Sequence, residues 1–281
     1  TILMADRPTP ESVTQRLVKY SPTVFFGVPT LYAALLNYEK FPDKKILSLR
    51  LCTSAGEALP IDLAKRWEAK LGIKILDGIG STEMLHIFLS NTEDSYKYGT
   101  TGMPLDGYEL KILSEDGVEV NHSEIGELYV KGDSAALMYW NNQKKSRATF
   151  QGEWTRTGDK YEIDHEGFYV YCGRSDDMMK VGGIYVSPTE VENALTTHLA
   201  VLEVAVVAQK DKEGLVKPKA YVVLNTEEDA SESLADELKE YVKQSLAPYK
   251  YPRWVEFVDE LPKTATGKIQ RFKLRNLDKA S

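Results

Sequence analysis

Up to about residue 90, short apolar segments of strand length alternate with segments of helical period, and this alternation restricts the possible folds more than any other feature of the chain. Val24-Phe25-Phe26 reads as a short buried strand, and Pro29 and Thr30 open a helix over Leu31 to Asn37. Leu47 to Cys52 reads as a strand, Pro60 to Leu71 as a helix capped by Gly72, and Ile73 to Leu76 as a strand running into Asp77-Gly78-Ile79-Gly80. Strands that pair in parallel need helical crossovers, so the alternation predicts a parallel α/β layer. From Tyr108 the period falls to two. Leu110 and Ile112, then Leu128 and Val130, alternate with polar residues on either side of Glu115-Asp116-Gly117. This pattern predicts antiparallel hairpins that end in Phe168-Tyr169-Val170-Tyr171.

The best boundary lies at Gly173-Arg174-Ser175-Asp176-Asp177, followed by a flexible glycine-rich loop at Lys180-Val181-Gly182-Gly183. Beyond it, a helix from Pro188 to about His198, strands over Val201 to Ala208 and Ala220 to Leu224, and a helix over Leu234 to Leu246 read as a small α+β domain. Glu227-Glu228-Asp229 reads as a solvated loop. The expected class is α/β. A partial parallel α/β subdomain extends to about residue 100, an antiparallel β subdomain covers 101–175, and a small α+β C-terminal domain covers 176–281.

At the other end, Thr1-Ile2-Leu3-Met4 reads as an interior strand, and Thr9 and Pro10 start a helix carrying Val13, Leu17 and Val18. A strand without a lead-in reads as a fragment of something longer. A hydrophobic fraction of 42% with 27% charged residues excludes a disordered chain. The net charge of -7 argues against a nucleic-acid or membrane-surface partner, while leaving room for a local pocket for one phosphate ligand. Cys52 and Cys172 stand far apart and form no C-x-x-C pair. A disulfide framework and a zinc ribbon are both disfavoured, and a reduced, cytoplasmic protein is the expectation.

Four segments could carry chemistry, and each has a plain structural alternative. Gly78-Ile79-Gly80-Ser81-Thr82-Glu83 follows a strand, where backbone N–H groups, a hydroxyl and a carboxylate could meet a phosphate and a cation. It could equally be a strand–loop–helix junction with Ser81 or Thr82 as N-cap. Asp159 in Thr155-Arg156-Thr157-Gly158-Asp159 could accept from a ribose diol, or simply hold a turn. Arg174 to Gly183 could be a hinge with a phosphate- or ribose-binding guanidinium, or an exposed linker. Lys268, at the end of Pro262-Lys263-Thr264-Ala265-Thr266-Gly267, could deliver a point charge to an anion, or lie on an ordinary basic loop. Gly99-Thr100-Thr101-Gly102 mimics a phosphate loop but lacks the lysine and reads as a structural turn.

Taken in order, Ser54-Ala55-Gly56-Glu57-Ala58-Leu59-Pro60, Gly80-Ser81-Thr82-Glu83, Gly126-Glu127-Leu128-Tyr129-Val130-Lys131-Gly132, Thr157-Gly158-Asp159, Tyr171-Cys172-Gly173-Arg174-Ser175-Asp176-Asp177 and Leu261 to Lys268 resemble the adenylate-forming family. That family comprises acyl- and aryl-CoA synthetases, luciferases and peptide-synthetase adenylation domains. Phe25 to Tyr32 and Ser81 to Phe88 resemble the benzoate-CoA ligases within it.

The resemblance implies roles residue by residue. Gly56, Glu57 and Ala58, with Asp77, Gly78 and Ile79, would flank the adenine of ATP or AMP. Thr82 would meet a phosphate oxygen and Glu83 would hold Mg2+. Asp159 would take the ribose hydroxyls, with Arg174 beside it. Lys268, on a mobile lid formed by 176–281, would reach the carboxylate and α-phosphate. Asp176 would be the hinge, and Lys180, Gly182 and Gly183 would enter the site to leave room for the arm of coenzyme A. Gly80, His86 and Ile87 would line the aryl pocket, with His86 otherwise a satisfied helix histidine.

The implied reaction joins an aromatic carboxylic acid to coenzyme A through an acyl-adenylate, releasing AMP and pyrophosphate. A ligase for another small or fatty acid and a non-catalytic nucleotide-binding fragment stand as alternatives. A homodimer is left open. The family's Ser/Thr/Gly-rich phosphate loop does not occur in the sequence, so the chain resembles the C-terminal portion of a ligase and is expected to be inactive alone.

Overall fold

The computed structural model describes residues 1–5, 8–225, 230–264 and 268–277, so the acidic run at 227–229 and residues 265–267 of the Pro262–Lys268 motif lie outside the described residues. The chain divides into two compact units of mixed α/β structure. The first comprises Thr1–Leu110, Val130–Thr155 and Asp164–Val170, and the second comprises Lys111–Tyr129, Arg156–Ile163 and Tyr171–Ser281.

The first unit opens with helix α1 (Pro10–Tyr20), whose cap is reciprocal: Ser12 N–H donates to Thr9 Oγ1 and Thr9 N–H donates to Ser12 Oγ. Strand β1 (Val24–Gly27), helix α2 (Pro29–Leu36), strand β2 (Leu51–Ser54), helix α3 (Ile61–Leu71) and strand β3 (Ile75–Gly80) then alternate as expected. The three strands are parallel neighbours, with Gly27 opposite Ser54 and Ser54 opposite Asp77. Helix α3 buries Leu63, Ala64, Trp67 and Leu71, a stripe at helical spacing. Trp67 meets Tyr32 edge-on at 4.7 Å, and the Tyr32 hydroxyl donates to Thr53 O at 2.7 Å. Fully burying side chains of this size contributes roughly 1.5–3 kcal/mol each, which clamps α2 and α3 onto the sheet.

Several expectations fail in this unit. The parallel layer ends at β3, because strands β4 (Ile87–Ser90) and β5 (Met103–Pro104) pair antiparallel. Residues 81–86 between β3 and β4 are too few for a helical crossover. No helix follows Ser81 or Thr82, and neither is an N-cap. Strand β2 starts only at Leu51, and Leu47 and Leu49 are buried without being in a strand. β1 stands at the end of its sheet, and along it Phe25 packs against the core while Phe26, on the opposite face, is exposed rather than buried. Residues 1–4 form no strand, and Leu3 is exposed. Gly99–Gly102 is the expected turn, anchored by Asn91 Nδ2 donating to Thr100 O at 2.7 Å.

A second sheet contains β6 (Glu109–Leu113), β7 (Gly126–Lys131), β9 (Trp154–Ile163) and β10 (Tyr169–Arg174) in the order β10-β9-β7-β6. Helix α4 (Gln143–Thr149) leads into β8 (Phe150–Gln151), which pairs with the start of β9.

In the second unit, β11 (Met179–Val181) and β12 (Ile184–Val186) are antiparallel, with Val181 opposite Ile184. Gly182 and Gly183 form the two-residue turn at φ +57° and +87°. A turn of the mirror-image type needs both central residues left-handed, which glycine adopts without steric cost. The expected flexible loop is therefore a tight hairpin. Helix α5 (Pro188–Thr196), the antiparallel pair β13 (Val201–Lys210) and β14 (Val216–Leu224), helix α6 (Glu232–Ser245), β15 (Trp254–Phe257) parallel to β14, and helix α7 (Arg271–Leu277) complete the unit. Leu234, Leu238 and Val242 form the buried stripe of α6, and they join Val191, Leu195, Val204 and Val206 in one core.

Candidate active site

Two expected adenine segments leave the carboxyl ends of adjacent parallel strands. Gly56, Glu57 and Ala58 follow β2, and Asp77, Gly78 and Ile79 lie in the last part of β3. Crevices outside the carboxyl ends of parallel strands are where open α/β sheets bind ligands. Burial pushes the Asp77 carboxyl well above the usual carboxylate range, against hydrogen bonds from the Leu59 and Gly78 backbone. Its buried Oδ1 makes no hydrogen bond among the described residues. A buried oxygen left without a donor is costly, and this one fits a polar ligand edge such as a nucleobase amine.

Gly80, Ser81, Thr82 and Glu83 form the turn between β3 and β4. Gly80 pairs with Ile87 beside a register shift at Ile79, so the motif occupies an irregular hairpin end. Thr82 is exposed and Glu83 is half-buried. His86 is exposed in the connection ahead of β4, which overturns its reading as a helix residue. Ile87 is half-buried at the first position of β4.

Partial burial works against ionisation of Glu83. Hydrogen bonds from Tyr139, from its own backbone and from Ser81, together with the Lys145 ammonium, outweigh it, and the carboxyl lies below its ordinary range. Among the described residues, no group of three His, Cys, Asp or Glu side chains could cage a metal ion. A single hard carboxylate fits Mg2+, which is commonly held by one or two carboxylates plus substrate phosphates.

The second unit holds Asp159, Arg174, Asp176, Lys180 and Lys268. Asp159 stands inside β9 rather than at a tight turn, and it is buried. Arg174, at the end of β10, places Nη1 2.9 Å from Asp159 Oδ1 and 3.1 Å from Thr157 O. The Asp159 N–H donates to Thr157 Oγ1 at 3.1 Å. Burial pushes the Asp159 carboxyl up, and Arg174 opposes that shift. Gly158 has φ +77°, and a Cβ there would lie 2.8 Å from Arg174 Nη2. The glycine therefore sets the backbone that presents Asp159 and leaves room for the guanidinium.

Sequence reasoning missed a buried acidic centre beside this pair. Glu127 accepts from Arg156 Nε at 3.0 Å and Ser175 Oγ at 2.7 Å, and Lys160 Nζ lies 3.6 Å away. Glu127 and Lys160 are both buried. Ser175 N–H also donates to Gly158 O at 2.9 Å, so the residue preceding Asp176 is held twice. On the other side of Asp176, Arg275 pairs with Asp177 and donates to Asp176 O at 3.3 Å. Asp176 itself is exposed. Lys180 Nζ lies 3.4 Å from Glu115, which also accepts from the Tyr185 hydroxyl, so the hairpin's lysine is engaged by the β6–β7 connection. Lys268 is exposed; its carbonyl accepts from Thr264 N–H at 2.8 Å and its N–H donates to Thr264 Oγ1 at 3.1 Å.

The family model for AMP-binding enzymes matches residues 1–140, and that for the AMP-binding enzyme C-terminal domain matches residues 190–268. The chain is 60% identical over 276 residues to a benzoate–CoA ligase of Thauera aromatica, covering 98% of this chain and 52% of the relative. It is 50% identical over 283 residues to a 4-hydroxybenzoate–CoA/benzoate–CoA ligase of Rhodopseudomonas palustris, covering 99% of this chain and 52% of the relative. The crystal structure of a benzoate CoA ligase from Burkholderia xenovorans LB400 superposes with a TM-score of 0.92 at 60% identity, covering 98% of this chain and 55% of that one. An anthranilate CoA ligase solved with anthranoyl-AMP gives 0.91 at 49% identity, covering 97% of this chain and 53% of that one. The chain thus spans about half the length of the curated relatives it matches.

Proposed function

The chain belongs to the AMP-binding enzyme family, and on that footing we propose that it carries the nucleotide-binding and lid portions of an AMP-forming aryl-CoA ligase. The substrates are benzoate or a close analogue, ATP and coenzyme A, and the setting is the cytoplasm. The observation that carries this reading is the 60% identity to a benzoate–CoA ligase along nearly the whole chain.

The chemistry assigns work to named residues. A carboxylate is a poor electrophile, so one of its oxygens attacks the α-phosphorus of ATP and pyrophosphate leaves. The thiol of coenzyme A then attacks the acyl-adenylate carbonyl, loses its proton, and AMP departs. Asp159 binds the ribose hydroxyls, and Arg174 holds that carboxylate ionised and oriented. Asp77 and the Gly56–Ala58 turn flank the base. Gly80, His86 and Ile87 line the aryl pocket. Thr82 donates to a phosphate oxygen. Glu83 holds Mg2+, which when bound neutralises charge on the phosphate oxygens. Lys268 stabilises charge on the carboxylate and α-phosphate during the first step. Residues 176–281 turn about Asp176, which takes Lys268 away and brings in the Lys180–Gly183 hairpin for the thiol step.

Benzoate-dependent pyrophosphate exchange tests this reading, run in a protein that supplies the length its relatives have beyond this chain. Lys268→Ala lowers exchange roughly 100- to 1,000-fold, as loss of one preorganised charge donor does, and spares thioester formation from preformed benzoyl-adenylate. Wild-type exchange in that variant would remove Lys268 from the reaction. A second reading rests on the half-length span: the chain alone binds AMP without turning ATP over. Titration of the chain with AMP and ATP separates the two.

A further inference from the structure

Residues 134–146 wrap the Glu83 turn from outside, and none of them belongs to the motifs that identify the family. Ser134 Oγ donates to Met84 O at 2.8 Å, and Ala136 N–H donates to Glu83 O at 2.7 Å. The Tyr139 hydroxyl lies 2.5 Å from Glu83 Oε1. Two bonds thus fix the backbone of the turn and a third reaches the carboxylate itself. Tyr139 is in turn held in place. Its N–H donates to Ser146 Oγ at 2.9 Å, its ring packs against Phe150 at 5.4 Å, and Lys145 Nζ stands 4.2 Å over the ring face. Asn142 caps the start of α4 through Lys145 N–H at 3.2 Å, which settles where Lys145 and Ser146 begin.

We propose that Tyr139 is a positioning residue for Glu83: its hydroxyl sets the rotamer of the carboxylate that receives the divalent cation. The proposal rests on the reading of Glu83 as the cation's protein ligand. A phenol is a directional donor, and a carboxylate has two oxygens with about four lone-pair sites, so one bond to Tyr139 does not exhaust Glu83. A lone carboxylate ligand on a surface turn would otherwise sample several rotamers, and ordering it would cost affinity each time the cation bound. Partners that orient a metal ligand typically change metal affinity 10- to 100-fold when removed.

The test is Mn2+ binding to the full chain in the presence of ATP, read by electron paramagnetic resonance, with Tyr139→Phe, Glu83→Gln, Ser134→Ala and the double variant Tyr139→Phe/Glu83→Gln. Phe keeps the ring packing, and circular dichroism melts confirm that each variant folds. The expected result is a 10- to 100-fold weaker Mn2+ affinity in Tyr139→Phe, wild-type affinity in Ser134→Ala, and no further loss when Tyr139→Phe is added to Glu83→Gln. Equal losses in Tyr139→Phe and Ser134→Ala would make Tyr139 merely a brace for the turn and overturn the proposal. Full affinity in Tyr139→Phe with a loss in Glu83→Gln would overturn it while leaving the Glu83 assignment standing. No Mn2+ binding by the wild-type chain, or no loss in Glu83→Gln, would remove both.

Discussion

Arg174 Nη1 sits 2.9 Å from Asp159 Oδ1, pairing a half-exposed guanidinium with a buried carboxylate. The geometry leaves the cation in contact with solvent and hides the anion, so the pair is asymmetric. Removing Arg174 strands a buried charge, whereas removing Asp159 leaves a cation that water can hydrate. Arg174→Ala should weaken AMP binding by roughly 10- to 100-fold, the value of a charge-assisted hydrogen bond. Isothermal titration reads this directly, and in Asp159→Asn the same Arg174 change should cost far less. Equal effects in both backgrounds would separate the two residues.

Gly158→Ala meets two obstacles at once. The left-handed backbone costs a residue with a Cβ about 1–2 kcal/mol, and the added atom collides with Arg174 Nη2. The expected outcome is a lower Tm together with weakened AMP binding. An unchanged melt would mean that the backbone relaxes freely here.

Glu127→Ala should be among the most destabilising single changes in the second unit, by about 3–5 kcal/mol. It leaves the buried Lys160 ammonium without its carboxylate and frees Ser175 from one of its two anchors. Glu127→Gln retains hydrogen-bonding capacity and should lose less. Urea denaturation of the two variants gives the comparison.

Asp164 carries the clearest pH signature. Burial raises its carboxyl, but Lys97 Nζ at 2.8 Å and the N–H groups of Phe168 and Glu166 outweigh that and lower it overall. A lowered folded pKa contributes stability that is complete above the unfolded value, near 4, and is lost as pH falls through the folded value. Asp164→Asn should therefore destabilise by up to about 1 kcal/mol at pH 7, discounted for solvent screening, and converge with wild type in acid. A gap that persisted at pH 2 would assign the loss to packing.

Both cysteines should resist alkylation in the folded chain at pH 8. Cys52 and Cys172 are buried, and burial pushes the Cys52 thiol up to about 11 and Cys172 higher still. Thiolate is the reactive form, so iodoacetamide should label both only after unfolding in urea. Rapid labelling of the native chain would show that one of them opens to solvent.

Local patterns located most of the helices and strands. Thr9 and Pro10 start α1, Gly72 closes α3 and Pro188 opens α5, because caps and periodicity act over four residues or fewer. The failures share a cause. Gly80-Ser81-Thr82-Glu83 held the residue types of a helix start, yet the chain turned back into an antiparallel strand whose partner lies across the hairpin. The Gly182-Gly183 pair read as loose, but cross-strand pairing of Val181 with Ile184 makes it a tight turn.

Composition, spacing and the order of motifs settled the α/β class and the family, and they proposed groups that could meet a nucleotide. They could not reveal which side chains orient those groups. Tyr139 lies 56 positions from Glu83, and Glu127 lies 48 from Ser175. Such pairs leave no trace in helical or strand period, because a hydrogen bond between distant segments exists only once packing has brought a donor and an acceptor atom to about 3 Å of each other.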